Sequence, residues 1–285
     1  MVLNSFDRVQ SFLNLVPFIQ KYVGSIFVIK YGGAAMTDIS LTNKVIEDIL
    51  FLYYLGIKPV VIHGGGPSIN SWLTKLDIKP QFQDGIRLTD SSTMKIVEMV
   101  LLGEVNPNLV SCFNKVNKVA IGLSGKDSQL IEASPYFDGP NNFVGKVDMI
   151  NNDLIHLLLN NKYIPVIASI ASDTNGQSYN INADTVASAI ASSLKADKLI
   201  LLTDTLGLLS NPQDSSTLIK ELNIEEVNNL KYNNIISGGM IPKINACINA
   251  LNNNVNYTHI IDGRLEHSLL YELFTLDRIG SRISI

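Results

Sequence analysis

The chain has 285 residues, of which 46% are hydrophobic and 17% charged, so it is long enough for one large domain or two smaller lobes and can bury a sizeable core. Its 22 basic and 26 acidic side chains give a net charge of -4, without the basic surplus that binding a nucleic acid requires. Uninterrupted apolar runs fall short of the roughly 18 residues of a bilayer span, and no secretory signal is evident. We therefore expect neither a nucleic-acid partner nor a membrane.

Cysteine content and codon-related bias bear on the compartment. Cys112 and Cys247 form no Cys-x-x-Cys unit, so reduced thiols are expected rather than a disulfide framework or a zinc site. Lysine outnumbers arginine 17 to 5 and asparagine is abundant, which indicates an AT-rich genome. Because the chain begins almost at its first predicted helix, we expect no transit peptide. We expect a plastid-encoded stromal protein first and a bacterial cytoplasmic protein second.

The first predicted element is an amphipathic helix near the amino terminus. Phe6, Val9, Leu13 and Val16 repeat at helical spacing, and Pro17 predicts a bend. The apolar stripe of this helix either covers the core of its own chain or docks on another subunit, and both alternatives remain open.

Six short runs rich in valine, isoleucine and leucine follow, separated by amphipathic stretches. They span residues 26–30, 59–63, 118–123, 164–169, 198–203 and 259–262. This alternation is typical of parallel strands joined by helical crossovers, which predicts an α/β fold with a mainly parallel sheet. Since open α/β sheets bind ligands beyond the carboxyl ends of their strands, function is expected in the loops that follow these runs.

A lysine and two glycines follow the first predicted strand. Glycines such as Gly32 and Gly33 let backbone amides approach an anion closely, and Lys30 supplies a mobile positive charge. This loop predicts a phosphate site. The structural alternative is a tight turn beside a lysine whose ammonium group lies in solvent.

The second predicted strand leads into three consecutive glycines. Residues 64–66 precede Pro67, a residue favoured in the first turn of a helix, so the glycine amides would lie at a helix amino terminus that can bind an anion. Neither glycine loop matches the P-loop or the dinucleotide-binding spacing. His63 at the strand end is a catalytic base or, more in keeping with its position, a cap of this loop.

Polar residues further along the chain can complete an anion site. Asn180, Asn182 and Asp184 precede a predicted helix, and helix capping accounts for one of them but not for all three. An aspartate that opens a helix in a ligand-facing loop could also orient nearby lysines or contact a magnesium-bound nucleotide. Lys243 could act with Lys30 as a pair of cations that neutralises a phosphoryl group in transfer. The planar fork of Arg87 suits a carboxylate, although a lone arginine is also typical of a solvated surface.

Seven motifs taken in chain order closely resemble the amino-acid kinase family, and most specifically its acetylglutamate kinases. They are Lys-Tyr-Gly-Gly at 30–33, His-Gly-Gly-Gly-Pro at 63–67, Gly-Ile-Arg-Leu-Thr-Asp at 85–90, Gly-Leu-Ser-Gly-Lys-Asp at 122–127, Asn-Ile-Asn-Ala-Asp at 180–184, Leu-Leu-Thr-Asp-Thr at 201–205 and Gly-Gly-Met-Ile-Pro-Lys at 238–243. The resemblance implies a three-layer αβα sandwich around a mainly parallel sheet. It also implies a regulatory and oligomerisation helix at 1–24, an amino-terminal lobe for acetylglutamate binding and dimerisation at 25–195, and a carboxyl-terminal lobe for ATP and arginine at 196–285.

The activity implied by this resemblance is ATP-dependent phosphorylation of the γ-carboxylate of N-acetyl-L-glutamate, a step of arginine biosynthesis, with Mg²⁺ held mainly by the ATP phosphates. Lys30 and Lys243 match the transition-state lysines of the family, and Asp184 matches the aspartate that orients them. The residues implied in binding the acceptor are Gly65, Gly66, Arg87 and Asn180. The residues implied in facing the transferring phosphate or ATP are Gly32, Gly33, Thr203, Asp204, Gly207, Leu209, Gly238 and Gly239.

The two ends of the chain are similar to the regulatory segments of arginine-inhibited members, which assemble as hexamers, trimers of dimers. The resemblance implies arginine as inhibitor at His267 and Glu272, and leaves a PII-type signalling protein as a possible partner. Pro107 stands where a lysine is usual, and Leu276 and Arg278 replace an expected Asp and Gly. The last two departures bear on the arginine site more than on the kinase chemistry.

Three rival functions remain on the sequence alone. A uridylate kinase would need a pyrimidine pocket in place of Arg87 and Asn180, and an aspartokinase normally carries a further regulatory domain. A catalytically silent sensor of arginine or of a PII-type protein would have no need for Lys30, Lys243 and Asp184 together.

Overall fold

The computed structural model describes residues 5–36, 38–83, 85–139 and 141–285, so that residues 1–4 of the predicted amino-terminal helix lie outside the described part. The helices are α1 Ser5–Tyr22, α2 Ile39–Tyr54, α3 Gly66–Lys75, α4 Ser91–Val100, α5 Asn106–Val116, α6 Asp153–Asn160, α7 Ala183–Ser193, α8 Ile224–Tyr232, α9 Met240–Asn252 and α10 Ser268–Phe274. The strands are β1 Ile26–Tyr31, β2 Lys58–His63, β3 Phe82–Gln83, β4 Ile86–Arg87, β5 Ala120–Ser124, β6 Ile131–Pro135, β7 Gly145–Ile150, β8 Ile164–Ala168, β9 Ile170–Ser172, β10 Ser178–Asn180, β11 Lys198–Thr203, β12 Glu221–Asn223, β13 Tyr257–Asp262 and β14 Ser281–Ser284.

A central sheet of eight strands has the order β12-β14-β13-β11-β1-β2-β8-β5. Neighbouring strands are parallel except β13 and β14, so β12 and β14 run opposite to the other six. Those six are the apolar runs predicted from the sequence, which confirms both their strand character and the mainly parallel sheet. Because they run in one direction, their carboxyl ends meet at a single edge of the sheet.

Helices cover both faces of this sheet. Alternate residues of β1 point into different cores, because successive side chains of a strand project from opposite faces of the sheet. Val28 packs with α6, α7, α8 and α9, whereas Phe27 and Ile29 pack with α1, α2, α5 and α10. The three-layer αβα sandwich is therefore confirmed. Cys112 and Cys247 are free thiols, and Cys247 is buried.

Smaller elements lie at the edge where the parallel strands end. A second sheet has the order β10-β9-β6-β7, and β3 pairs with β4 in a short hairpin. A third apolar cluster joins α3 and α4 to residues around the end of β8, through Ile69, Val97 and Ala168 among others. These elements bring β4 and β10 to the carboxyl edge of the central sheet.

The helical stretch Ser91–Val116 consists of α4, a π turn at Leu101–Val105 and α5. By length and composition alone it is long and apolar enough to span a membrane, with a mean hydropathy of 1.3, and it is the one such helix among the described residues. Polar residues are interspersed along it, so it contains no uninterrupted apolar run of that length. Its side chains at Val97 and Phe113 lie in the protein core, so packing within the fold accounts for its apolar character.

Some apolar residues of helix α1 pack on the core of the chain, and others are exposed to solvent. Phe18 packs against the core and Tyr22 is buried in it, so the carboxyl-terminal half of the helix covers its own chain. The predicted stripe instead faces outward, with exposed fractions of 76% at Phe6, 58% at Val9, 57% at Leu13 and 40% at Val16. The helix therefore covers its own core with its carboxyl-terminal half, and the predicted stripe forms a separate exposed apolar surface on this chain. Docking of that stripe on another subunit stays a prediction.

Candidate active site

The sequence left open which polar residue caps α7, and the structure identifies it. The side-chain oxygen of Asn182 accepts hydrogen bonds from the backbone N–H groups of Asp184 and Thr185, so Asn182 is the helix cap. The carboxylate of Asp184 is therefore not used in capping. It lies in the first turn of α7, near the end of β1.

The carboxylate of Asp184 holds two lysines that come from distant parts of the chain. Lys30 Nζ lies 3.1 Å from Asp184 Oδ1, and Lys243 Nζ donates to Asp184 Oδ2 at 2.9 Å. Lys30 projects from the same face of β1 as Val28, towards α7 and α9, since the two residues are two positions apart. A Cβ atom at Gly32 would lie 2.8 Å from Lys30 Nζ, so glycine at this position leaves the ammonium group its place beside Asp184.

Burial and charge act against each other in this trio. The side chains of Lys30 and Asp184 are 9% and 4% exposed. Burial lowers the pKa of Lys30, opposed by the charge of Asp184. Burial alone would raise the pKa of Asp184, but the charges of Lys30 and Lys243 overcome it and lower that pKa to about 2. Asp184 is thus ionised at neutral pH, and each partner stabilises the charge of the other.

One cavity, of about 250 Å³, brings the trio together with the predicted acceptor-binding residues. The predicted residues that line it are Lys30, Gly32, Gly33, Gly65, Gly66, Arg87, Asn180, Asp184 and Lys243. Gly65 precedes α3, so its side of the cavity is a helix amino terminus that favours an anion. A Cβ at Gly65 would lie 2.5 Å from Leu101 Cδ2, which shows how closely the π turn packs on this loop.

Arg87 is buried, at 8% exposure, so the solvated-surface alternative is wrong. Its Nη2 donates to Asn70 Oδ1 at 2.6 Å, and its guanidinium lies 4.8 Å from the centre of the Phe82 ring. Within the part of the chain that the structure describes, its buried Nη1 has no hydrogen-bond partner. Asn180 Nδ2 donates to Thr89 Oγ1 at 3.0 Å on the same side of the cavity. An unpartnered guanidinium nitrogen suits a ligand carboxylate.

A second cavity, of about 670 Å³, adjoins the first. The predicted nucleotide residues that line it are Gly33, Thr203, Asp204, Gly207, Leu209 and Gly239, whereas Gly238 lies between two lining residues without being one of them. Lys30, Asp184 and Lys243 line both cavities. The trio therefore stands where the contents of the two cavities would meet.

Comparison with known proteins is consistent with this geometry. A model of the amino acid kinase family matches residues 25–262. An acetylglutamate kinase from Gracilaria tenuistipitata var. liui is 54% identical over 283 residues, 99% of each chain. The chain belongs to the amino acid kinase family. An acetylglutamate kinase from Nostoc punctiforme is 51% identical over 276 residues, which cover 97% of this chain and 93% of the relative. Within the family, the chain groups with the acetylglutamate kinases.

Solved structures with the amino acid kinase fold include the N-acetylglutamate synthase from Neisseria gonorrhoeae. Its complex with coenzyme A and N-acetyl-glutamate gives a TM-score of 0.86 at 24% identity, covering 97% of this chain and 63% of the synthase. A complex of the same synthase with coenzyme A and L-arginine gives a TM-score of 0.82 at 24% identity, covering 97% and 65%. The chain thus spans less than two thirds of the synthase, and at this identity the likeness establishes the fold.

The two residues assigned to an arginine site have different partners in this family member. His267 Nδ1 contacts Asp48 Oδ1 of α2 at 2.5 Å. Glu272 is fully buried and accepts a hydrogen bond from His259 Nδ1 at 2.8 Å, and Arg278 Nη1 lies 3.5 Å from the same carboxylate. The structure therefore does not bring His267 and Glu272 into one contact group.

The residues where this chain departs from the pattern of the family fall into different environments. Pro107 is the second residue of α5 and directly follows the π turn at Leu101–Val105, where the regular i→i−4 hydrogen-bond pattern of the helical stretch is already interrupted. Leu276 is 95% exposed. Arg278 forms an ion pair with Glu221 at 2.9 Å in addition to its contact with Glu272.

Some residues of the site escaped the sequence argument. Phe82, Gly85 and Asn182 line both cavities. Gly85 and Asn182 lie inside motifs that were recognised, so position within a motif was the available signal, whereas nothing in the pattern distinguished Phe82. Lys198 is a buried lysine outside both cavities, at the start of β11. It lies 4.6 Å from the centre of the Tyr257 ring and 4.9 Å from that of Tyr22, and burial lowers its pKa to about 8.

Replacing Asp184 with Asn should lower the free energy of unfolding at pH 7 by about 3 to 5 kcal/mol, because it leaves two lysines without their buried counter-charge. The folded-state pKa of Asp184, about 2, lies below its ordinary value of 3.8, so its stabilisation is present above about pH 4 and is lost as the pH falls through about 2. The difference between wild type and variant in denaturant unfolding should shrink accordingly.

The matched control is Asp277→Asn, which removes one partner of the exposed ion pair with Lys220 and should leave the unfolding midpoint unchanged. An Asp184→Asn protein as stable as wild type at pH 7 would contradict the assignment of the trio as a mutually stabilised group.

Proposed function

We propose that this protein transfers the γ-phosphoryl group of ATP to the γ-carboxylate of N-acetyl-L-glutamate, forming N-acetyl-L-glutamyl 5-phosphate in arginine biosynthesis. The observation that carries the proposal is that a smaller cavity with carboxylate-binding groups and a larger one meet at Lys30, Asp184 and Lys243. The relatives that are 54% and 51% identical over almost the full chain are named acetylglutamate kinases, which supports the same reaction.

The acceptor needs no general base in this reaction. A glutamate side-chain carboxyl has an ordinary pKa of about 4.3, so the γ-carboxylate is already a nucleophile at neutral pH. The remaining task is to align it with the γ-phosphorus and to neutralise the charge that spreads over the phosphoryl oxygens. Lys30 and Lys243 carry positive charge on two sides of Asp184, and Asp184 fixes the spacing between them.

Acceptor recognition is assigned to four positions around the smaller cavity. The free Nη1 of Arg87 and the amide of Asn180 would bind the α-carboxylate and the acetamido end, and the backbone amides of Gly65 and Gly66 would bind the γ-carboxylate. The acceptor would then lie between Arg87 and the trio, with its reacting end towards Lys30.

The larger cavity is assigned to ATP, with the residues from 203 to 209 and from 237 to 239 around the nucleotide. A Mg²⁺ ion is proposed to bind with ATP, held mainly by the ATP phosphates. That ion, when bound, would add positive charge at the β- and γ-phosphates.

Regulation by arginine and a hexameric assembly belong to the same proposal. The lobes are assigned to residues 25–195 and 196–285, and the helix at 1–24 to assembly, which its exposed apolar stripe supports. Arginine is proposed to bind near Glu272, where its guanidinium would have to displace that of Arg278. A PII-type protein stays a possible partner. The relatives from red algae and cyanobacteria support a plastid stroma first and a bacterial cytoplasm second.

The direct test is ATP consumption by the purified chain with N-acetyl-L-glutamate, compared with UMP and aspartate as acceptors. Turnover with acetylglutamate alone is expected. Turnover with UMP or aspartate instead would identify another branch of the family, and ligand binding without any turnover would favour the sensor.

Replacing Lys30 or Lys243 with Ala should lower kcat by a factor of about 100 or more, since each removes roughly 3 kcal/mol of transition-state stabilisation. Acetylglutamate should still bind, as calorimetry can verify. Lys220→Ala, at an exposed lysine outside both cavities, is the control and should keep wild-type kcat. Near-normal kcat with a raised KM would remove that lysine from the charge-neutralising pair.

Replacing Arg87 with Lys should weaken acetylglutamate binding about tenfold or more while leaving ATP affinity little changed, because the two-pronged contact is lost and the charge remains. Calorimetry with each ligand separately measures this. Arg282→Lys, outside both cavities, serves as the matched change. Unaltered acetylglutamate affinity in Arg87→Lys would rule out the carboxylate assignment.

Replacing both Val9 and Leu13 with Asp should reduce a hexamer to dimers and weaken arginine inhibition, because the charges fall on the exposed stripe of α1. Activity without arginine should persist, since neither residue packs on the core of its own chain. Light scattering and an arginine titration measure both effects, with Leu157→Asp on the exposed face of α6 as the control. A variant that stays hexameric and equally arginine-sensitive would refute the role of this helix.

A further inference from the structure

The buried pair of His63 and Asn106 lies directly behind the glycine loop of residues 64–66, on the side away from the trio. We propose that these two residues are positioning residues that fix the orientation of the Gly64–Gly65 peptide and so aim the Gly65 N–H at the acceptor carboxylate. This inference rests on the proposed function, because that function makes the loop a binding site for the acceptor.

The first step is the contact between the imidazole and the loop. His63 is fully buried at the end of β2, and its Nδ1 lies 2.9 Å from the carbonyl oxygen of Gly64. The Gly64 carbonyl and the Gly65 N–H belong to one planar trans peptide and point in opposite directions. A carbonyl held towards His63 therefore directs the Gly65 N–H away from it. Gly65 lines the cavity that also contains Lys30 and Arg87.

The second step is the tautomer of His63, which Asn106 determines. Asn106 Nδ2 lies 2.9 Å from His63 Nε2 and 2.9 Å from the carbonyl oxygen of Val166. A carbonyl can only accept, so Nδ2 is the amide nitrogen and donates to both. His63 Nε2 is then an acceptor, the ring proton is on Nδ1, and Nδ1 donates to Gly64.

The third step is how Asn106 reaches this position. It is the first residue of α5, directly after the π turn at Leu101–Val105, and the same turn packs Leu101 and Val105 against Gly65. The extra residue of a π turn rotates the residues after it relative to those before it, and such turns are frequent at functional sites. The π turn thus supports the glycine loop in two ways: Leu101 and Val105 pack against Gly65, and Asn106 binds His63, which contacts Gly64.

His63 is not suited to proton transfer. Burial lowers its pKa to about 4, opposed by the Gly64 carbonyl, so the ring is neutral at physiological pH. Charged groups on the surrounding elements include Lys30 of β1, Asp184 of α7, Glu104 of the π turn and Lys115 of α5. Lys30 and Asp184 neutralise each other, and Glu104 accepts a hydrogen bond from the Trp72 indole. Both ring nitrogens of His63 are already engaged, which favours the loop-cap alternative over the catalytic base.

The first experiment compares His63→Leu with His63→Asn. Leucine removes the donor to Gly64, whereas the asparagine amide can place a donor close to the position of Nδ1. We expect the KM for acetylglutamate to rise about tenfold in His63→Leu and to return towards wild type in His63→Asn, with the KM for ATP within about twofold in both. Thermal unfolding of each variant separates this split from a loss of folded protein.

The second experiment uses Asn106→Asp, which reverses the tautomer. A carboxylate next to Nε2 raises the pKa of His63, so that the ring titrates in the measurable range. Below that pKa the imidazolium donates to both neighbours and the loop contact persists. Above it, the single ring proton goes to the new carboxylate and the Gly64 carbonyl loses its donor. The kcat/KM for acetylglutamate should therefore fall as pH rises through a pKa that wild type lacks.

Asn114→Asp is the matched control on the same helix. Asn114 also donates to a backbone carbonyl, that of Ala120, but has no imidazole partner, so its variant should lack the new ionisation. Equal KM values for acetylglutamate in wild type and His63→Leu, equal losses in His63→Leu and His63→Asn, or a flat profile for Asn106→Asp would overturn the inference. If His63→Leu does not fold, the profile of Asn106→Asp decides.

Wild-type turnover separates this inference from the proposed function. An active wild type with unaffected variants overturns the positioning role alone. A wild type without acetylglutamate-dependent turnover overturns the proposed function, and this inference with it.

Discussion

The contact of one buried carboxylate with two lysine ammonium groups is the interaction on which the site depends. Burying Asp184 or Lys30 alone would cost much desolvation free energy. Together with Lys243, their opposite charges compensate for that cost, and the side chains are largely shielded from solvent. The arrangement places more positive than negative charge at the junction of two cavities. A phosphoryl group in transfer would supply the missing negative charge, so the proposed reaction completes the electrostatic balance of the site.

The fold supplies this contact through the alternation of side chains on a strand and the ends of two helices. Lys30 emerges on the face of β1 that α7 and α9 cover, Asp184 lies in the first turn of α7, and Lys243 lies in the first turn of α9. The opposite face of the same sheet edge holds His63 and Asn106. The glycine loop after β2 therefore lies between two buried polar groups, one facing the substrates and one proposed to fix the loop.

The strands and the main loops could be predicted from the sequence, because apolar periodicity and glycine spacing are local signals. Which of Asn180, Asn182 and Asp184 is the helix cap could not, since both residue types cap helices well and the outcome depends on where Lys30 and Lys243 lie. Asn106 carried no signal either: nothing in the pattern distinguishes it from Asn108, and it becomes a partner of His63 only through the π turn and α5. Residues far apart in the chain acquire their roles through packing that no local pattern encodes.

The pH dependence of kcat/KM for N-acetyl-L-glutamate, measured in H₂O and in D₂O, tests most directly the claim that alignment and charge neutralisation suffice. We expect a flat profile from about pH 6 to about pH 8 and a solvent isotope effect near 1, because the acceptor is already ionised and no side chain takes its proton. At higher pH the rate should fall as Lys30, whose pKa burial lowers, loses its proton. A rate that rises with pH through a pKa near 7, together with a solvent isotope effect of about 2 or more, would instead show that a general base takes part in the reaction.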